Sequence, residues 1–79
     1  MGRAASNDIT VPHPTVSRSH AELVRQGPTW RVVDRNSTNG VYVNGALRDW
    51  YELTDYDVFW LGEVGVYFVC GDRLPPEAI

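Results

Sequence analysis

The chain has 79 residues and a formal net charge of −3. That is room for one domain, and the acidic balance argues against general nucleic-acid binding. No apolar run reaches the ~20 residues of a membrane-spanning helix. The opening "MGRAASNDIT" has no apolar segment of a secretory signal, and the single Cys70 excludes an internal disulfide. Those features fit a reducing, cytoplasmic setting with no membrane partner.

In chain order, the first twenty residues are dominated by turn formers, ending in "PHPT" and "VSRSH". From there the apolar periodicity is two, the period of a half-buried strand. "HAELVR" sets Ala21 and Leu23 against Glu22. After the turn "QGP", "TWRVVD" sets Trp30 and Val32 against Arg31. "RNSTNG" is the next turn, and "VYV" places Val41 and Val43 opposite Tyr42. The stretch "NSTNGVYVNG" carries Asn-Gly twice, with only those three residues between. Asn and Gly tolerate positive φ, so the pattern predicts a very short strand held between two bends. "ALRDWYEL" is the best helix candidate, short and crowded with aromatics. "DVFWLG" and "VGVYFVC" are rich in strand-favouring Val, Phe, Tyr and Trp. "DRLPPEAI" reads as a tail, because two prolines stop a strand. Many short strands with close turns predict an all-β protein, a sandwich or a barrel, with a domain at residues 1–71 and a tail at 72–79.

The residues that could carry chemistry fall on the loops between these strands. Arg3, Ser17, Arg18, Thr38 and Asn39 supply guanidinium groups, hydroxyls and an amide. Such donors suit a phosphate, which takes several charge-assisted hydrogen bonds from fixed directions. All seven basic residues are arginine, the side chain suited to planar, bidentate anion recognition, although a GC-rich coding sequence gives the same bias. Taken singly, Ser17 and Thr38 also read as turn formers, Arg18 as a surface charge and His20 as a hydrogen-bonded structural histidine. Ser17, His20 and Asp34 could be drawn as a catalytic triad. However, Ser17 and His20 lie three apart on an extended segment and no nucleophile-elbow pattern surrounds the serine, so no enzymatic activity is expected. His13, His20 and Cys70 lack a ligand spacing, so neither metal nor other cofactor is expected.

The fragments Gly2-Arg3, "ND" at 7–8, "VSRSHA" at 16–21, "STNG" at 37–40, "VNG" at 43–45 and "LTDYDVFWLG" at 53–62, in that order and spacing, resemble the forkhead-associated (FHA) domain family. The resemblance covers residue 2 to about 70. It implies an antiparallel β-sandwich that binds phosphothreonine-containing proteins or peptides through loops at one end, downstream of a Ser/Thr kinase. By position, Arg3 and Ser17 resemble the family's phosphate contacts. Arg18 and Thr38 match positions that add further contacts, and Asn39 resembles the residue that bonds the peptide backbone. His20 matches a residue bracing the loops. Gly2, Gly40, Asn44 and Gly45 match structural positions around them. The alternative is a structural or oligomerising FHA-like domain without ligand binding.

Two departures accompany the resemblance. The strand that family members carry ahead of the Gly-Arg pair has no counterpart here, so the sandwich is expected to lack it. Such a sandwich could self-associate through the exposed strand edge. Tyr56 replaces a usual turn glycine, and is strained there if the turn needs positive φ.

Overall fold

The computed structural model describes residues 1–69. The 72–79 tail, the domain boundary before it and Cys70 lie outside the described residues. Seven strands follow one another: β1 (Ala21–Gln26), β2 (Thr29–Asp34), β3 (Val41–Val43), β4 (Ala46–Arg48), β5 (Trp50–Leu53), β6 (Val58–Leu61) and β7 (Val64–Tyr67). They form two sheets with orders β1-β2-β5 and β4-β3-β6-β7, every pair of neighbours being antiparallel. The expected all-β sandwich is therefore the observed one, and among the described residues no barrel closes.

Period-two patterning builds the core. Val41 and Val43 on β3 and Phe59 and Leu61 on β6 are buried, as are Val32 on β2 and Leu53 on β5. Val16 and Ala21 complete the cluster, with Leu23, Tyr51, Val64, Val66 and Phe68 packed against it. Full burial of each aliphatic side chain stabilises the fold by about 1.5–3 kcal/mol relative to exposure.

The helix candidate "ALRDWYEL" is two strands instead. Ala46–Arg48 pairs with β3 and Trp50–Leu53 pairs with β2. Asp49 lies between them, its carbonyl accepting the Asp34 N–H at 2.8 Å. Two partner strands with open edges outweigh a weak helical pattern, and Trp50 and Tyr51 favour the extended form.

The second Asn-Gly is the hairpin turn joining β3 to β4. Val43 pairs with Ala46, and Asn44 and Gly45 have φ of 53° and 77°. Positive φ at both central residues is the type I′ turn, whose twist matches the flanking strands. Tyr56 does occupy a positive φ, 72°. Its turn is tied by Thr54 N and Oγ1 to Asp57 Oδ2, at 2.8 and 3.0 Å, and Tyr56 N donates to Phe68 O at 2.9 Å.

Ahead of β1 the chain runs alongside itself without a regular strand. Arg3 N donates to Ser17 O at 2.9 Å and Ala4 N to Arg18 O at 3.2 Å, while Met1 O accepts from His20 N and Ala21 N. Gly2 forms a single bridge with Thr10. These bonds place Arg3 beside the loop that leads into β1.

Candidate functional site

Two loops meet at one end of the sandwich. The first is residues 13–20, before β1; the second is residues 35–40, between β2 and β3. His20 is fully buried between them. Its Nδ1 accepts the Ser17 N–H at 3.0 Å, and its Nε2 lies 2.7 Å from the Gly40 carbonyl. A carbonyl can only accept, so the ring is the neutral tautomer with its proton on Nε2. Both nitrogens are committed to backbone, and Asp34 bonds Ser37 rather than the histidine. The arrangement is a brace and has no triad geometry.

Ser17 continues the link between the loops. Its Oγ accepts the Thr38 N–H at 3.0 Å. With a lone pair so used, the hydroxyl hydrogen remains available to an outside acceptor. Asn39 spans the same gap, Nδ2 donating to Thr15 O at 2.7 Å. Its Oδ1 is then available for a peptide N–H. Arg3 Nε donates to Val16 O at 3.0 Å, which fixes the plane of the guanidinium and leaves its terminal nitrogens for an anion. Arg3, Thr38 and Asn39 are exposed and Ser17 is partly buried, so the donors are reachable from solvent.

Arg18 enters this structure through its backbone. Its carbonyl accepts Asn7 Nδ2 at 2.7 Å and Ala4 N at 3.2 Å, while the residue itself is exposed. Gly2 passes so close that a Cβ there would lie 2.3 Å from Arg18 O. A side chain at position 2 would push the segment carrying Arg3 away from the loop. Gly40 has φ of 78°, and the Asn39-Gly40 pair ends the second loop rather than making a hairpin. Asn44 and Gly45 lie in the hairpin beyond β3, where they fix the short strand that Gly40 leads into.

Four further residues, none of them among the expected site residues, hold these loops in place. Thr15 supplies the carbonyl for Asn39, and its Oγ1 accepts the Glu63 N–H at 2.9 Å, joining the first loop to the β6–β7 turn. Asn7 ties the N-terminal segment to Arg18 and to Ala4 O. Asp34 and Ser37 close the second loop: Ser37 Oγ donates to Asp34 Oδ1 and accepts the Gly40 N–H at 2.9 Å. The Asp-x-x-Ser spacing is a legible turn signal. A backbone acceptor such as Thr15 O leaves none.

The family model described as "FHA domain" matches residues 1–62. The chain belongs to the FHA domain family. Among curated relatives, it is 41% identical over 71 residues to the ABC transporter ATP-binding/permease protein Rv1747 of Mycobacterium tuberculosis, covering 90% of this chain and 8% of that protein. It is 40% identical over 72 residues to the oxoglutarate dehydrogenase inhibitor of Corynebacterium diphtheriae, covering 91% of this chain and 50% of that protein. The chain thus spans half or less of the length of these two relatives. An FHA domain solved in a study of phosphothreonine-dependent FHA domain interactions superimposes with a TM-score of 0.79 at 36% identity, covering 84% of this chain and 69% of the other. The FHA sandwich is shared with that structure.

Proposed function

We infer that this FHA domain is a non-catalytic module that binds phosphothreonine segments of partner proteins. The observation that carries the reading is the mutual locking of the two loops. Ser17, Asn39 and Arg3 each spend one polar group on a fixed backbone partner and keep another for a ligand. Donors held in place beforehand lose little freedom when an anion arrives, which is how a small surface reaches useful affinity. Arg3 and Ser17 are assigned to the phosphate, Arg18 and Thr38 to its periphery, and Asn39 to the peptide backbone. His20, Gly2, Gly40, Asn44 and Gly45 support them. A cytoplasmic location belongs to the same proposal, because the ligand must be made by a kinase that uses ATP.

The test is titration calorimetry with pairs of peptides that differ only in phosphorylation of one threonine. Binding of the phosphorylated member alone is expected, with Kd in the micromolar range, about −8 kcal/mol. Equal affinity for both members of every pair favours the alternative, an FHA-fold domain with a structural role.

A further inference from the structure

The outer faces of the two sheets differ. On the three-stranded sheet, cross-strand register places Glu22, Val24, Arg31, Val33, Trp50 and Glu52 on one surface, charges mixed with apolar groups. That is the usual solvated face of an antiparallel sheet. On the four-stranded sheet, the register aligns Leu47, Tyr42, Trp60 and Gly65 in one row across all four strands, with Val58 and Tyr67 in the next. None of these described residues is charged. Leu47 is 61% exposed, Tyr67 59%, Trp60 44%, and Tyr42 and Val58 39% each. Tyr56 extends the patch, its ring 6.1 Å from that of Tyr67. Gly65 lets the Trp60 ring lie against β7, since a Cβ there would come within 3.1 Å of the indole. The result is an exposed surface dominated by aromatic side chains.

We propose that this face is a self-association surface, and that its occupant is the same face of a second copy of the chain. Three observations favour a second copy. A two-fold interface requires a patch complementary to itself. An uncharged sheet surface meets that condition without matching charges, although each copy has a net charge of −3. The size also fits: with aromatic side chains of roughly 150–250 Å² half exposed, the patch offers on the order of 500 Å². Two copies then bury about 1,000 Å², the lower bound for a specific, weak interface. Finally, face-to-face packing of two sheets is the arrangement the molecule already uses inside itself. The acidic residues Asp55, Asp57 and Glu63 lie in the turns at the two ends of β6, on the rim of the patch, so association strengthens as salt screens them.

Sedimentation equilibrium of the chain, from micromolar to millimolar, tests the proposal. The expected result is a mass rising toward twice the monomer value, with tighter association at higher salt. Tyr67→Glu combined with Val58→Glu is expected to abolish it while leaving the thermal melt cooperative. In a parallel dilution series followed by NMR, the indole N–H of Trp60 shifts with concentration. That of Trp50, on the outer face of the other sheet, stays constant and serves as the internal control. The dilution series uses the unaltered chain, so it decides the question even if the double variant fails to fold. A monomer at every concentration overturns the proposal, as does a dimer that persists in the folded double variant, or a dilution shift at Trp50 without one at Trp60.

Discussion

His20 and Gly40 are twenty residues apart in sequence and joined by a 2.7 Å hydrogen bond in the buried space between two loops. The same ring holds Ser17 N from the other side. Replacing it with alanine leaves the partly buried Ser17 N–H and Gly40 carbonyl without their partner and opens a cavity. His20→Ala is expected to lower stability by about 2–4 kcal/mol. Phosphopeptide binding should weaken with it, since Ser17 loses its brace. Urea unfolding and calorimetry on the same variant check both effects. Unchanged stability with normal binding would contradict the role given to this histidine.

Arg3→Ala and Ser17→Ala should each weaken phosphopeptide binding by roughly 1.5–3 kcal/mol, the range for hydrogen bonds to a charged group. Arg3→Lys keeps the charge but loses the guanidinium fork, so it should recover only part of the loss. Titrations accompanied by melting curves separate a lost ligand contact from a damaged loop. Asn39→Ala should weaken binding with the fold intact.

Binding should fall as pH drops from 7 to 5. The second pKa of a phosphothreonine lies near 6, so the dianion dominates above that value and the monoanion below it. The site loses Coulomb attraction as the ligand gains its proton. Added salt should also weaken binding, because Arg3 and Arg18 are exposed and screened. Calorimetry across both series is the measurement, and a flat pH response would mean that the phosphate is not the main contact.

Gly2→Ala is a steric test of how Arg3 is positioned. The added methyl would meet the Arg18 backbone carbonyl at 2.3 Å, and a backbone atom cannot swing aside as a side chain does. Stability is expected to fall by about 1–3 kcal/mol, the range for overpacked positions, and phosphopeptide affinity with it. Denaturant titration and a binding isotherm on this variant are sufficient.

Backbone strain should respond in opposite directions at two turns. Asn44 has φ of 53°, which asparagine tolerates and alanine does not, so Asn44→Ala should cost about 1 kcal/mol. Tyr56 has φ of 72° and no such tolerance. Relief of a strain of about 1–3 kcal/mol, less the entropic cost of glycine, leaves Tyr56→Gly more stable by up to ~1 kcal/mol. Paired denaturation curves check the signs.

Strand existence was legible because burial on one face writes a period of two into the residues: Val41 and Val43 are buried with Tyr42 exposed between them, and the pattern reads directly. The Asn44-Gly45 hairpin was legible because its chemistry is local. Residues 46–53 misled because their partners, β3 and β2, lie elsewhere in the chain, and a segment with helical spacing takes the extended form when two edges wait for it. The site divided along the same line. Side chains with unmistakable donors, Arg3, Ser17 and Asn39, stand out in a loop. The carbonyls of Thr15 and Val16 that aim them do not, because every residue carries one.

Asp49 alone separates β4 from β5, and those two strands belong to different sheets. With β1, β2 and β5 in one sheet and β3, β4, β6 and β7 in the other, the chain stitches the layers together, and neither sheet is a continuous stretch of sequence. A single residue gives no slack at that crossing. The layers therefore cannot slide or peel apart without disturbing the pairing of β4 or β5, and any fragment that holds one whole sheet also carries strands of the other. Any fragment that ends before residue 50 leaves β2 without β5 and β3 without β6. The molecule is accordingly expected to melt in one step, with the binding loops losing their order at the same temperature as the interior.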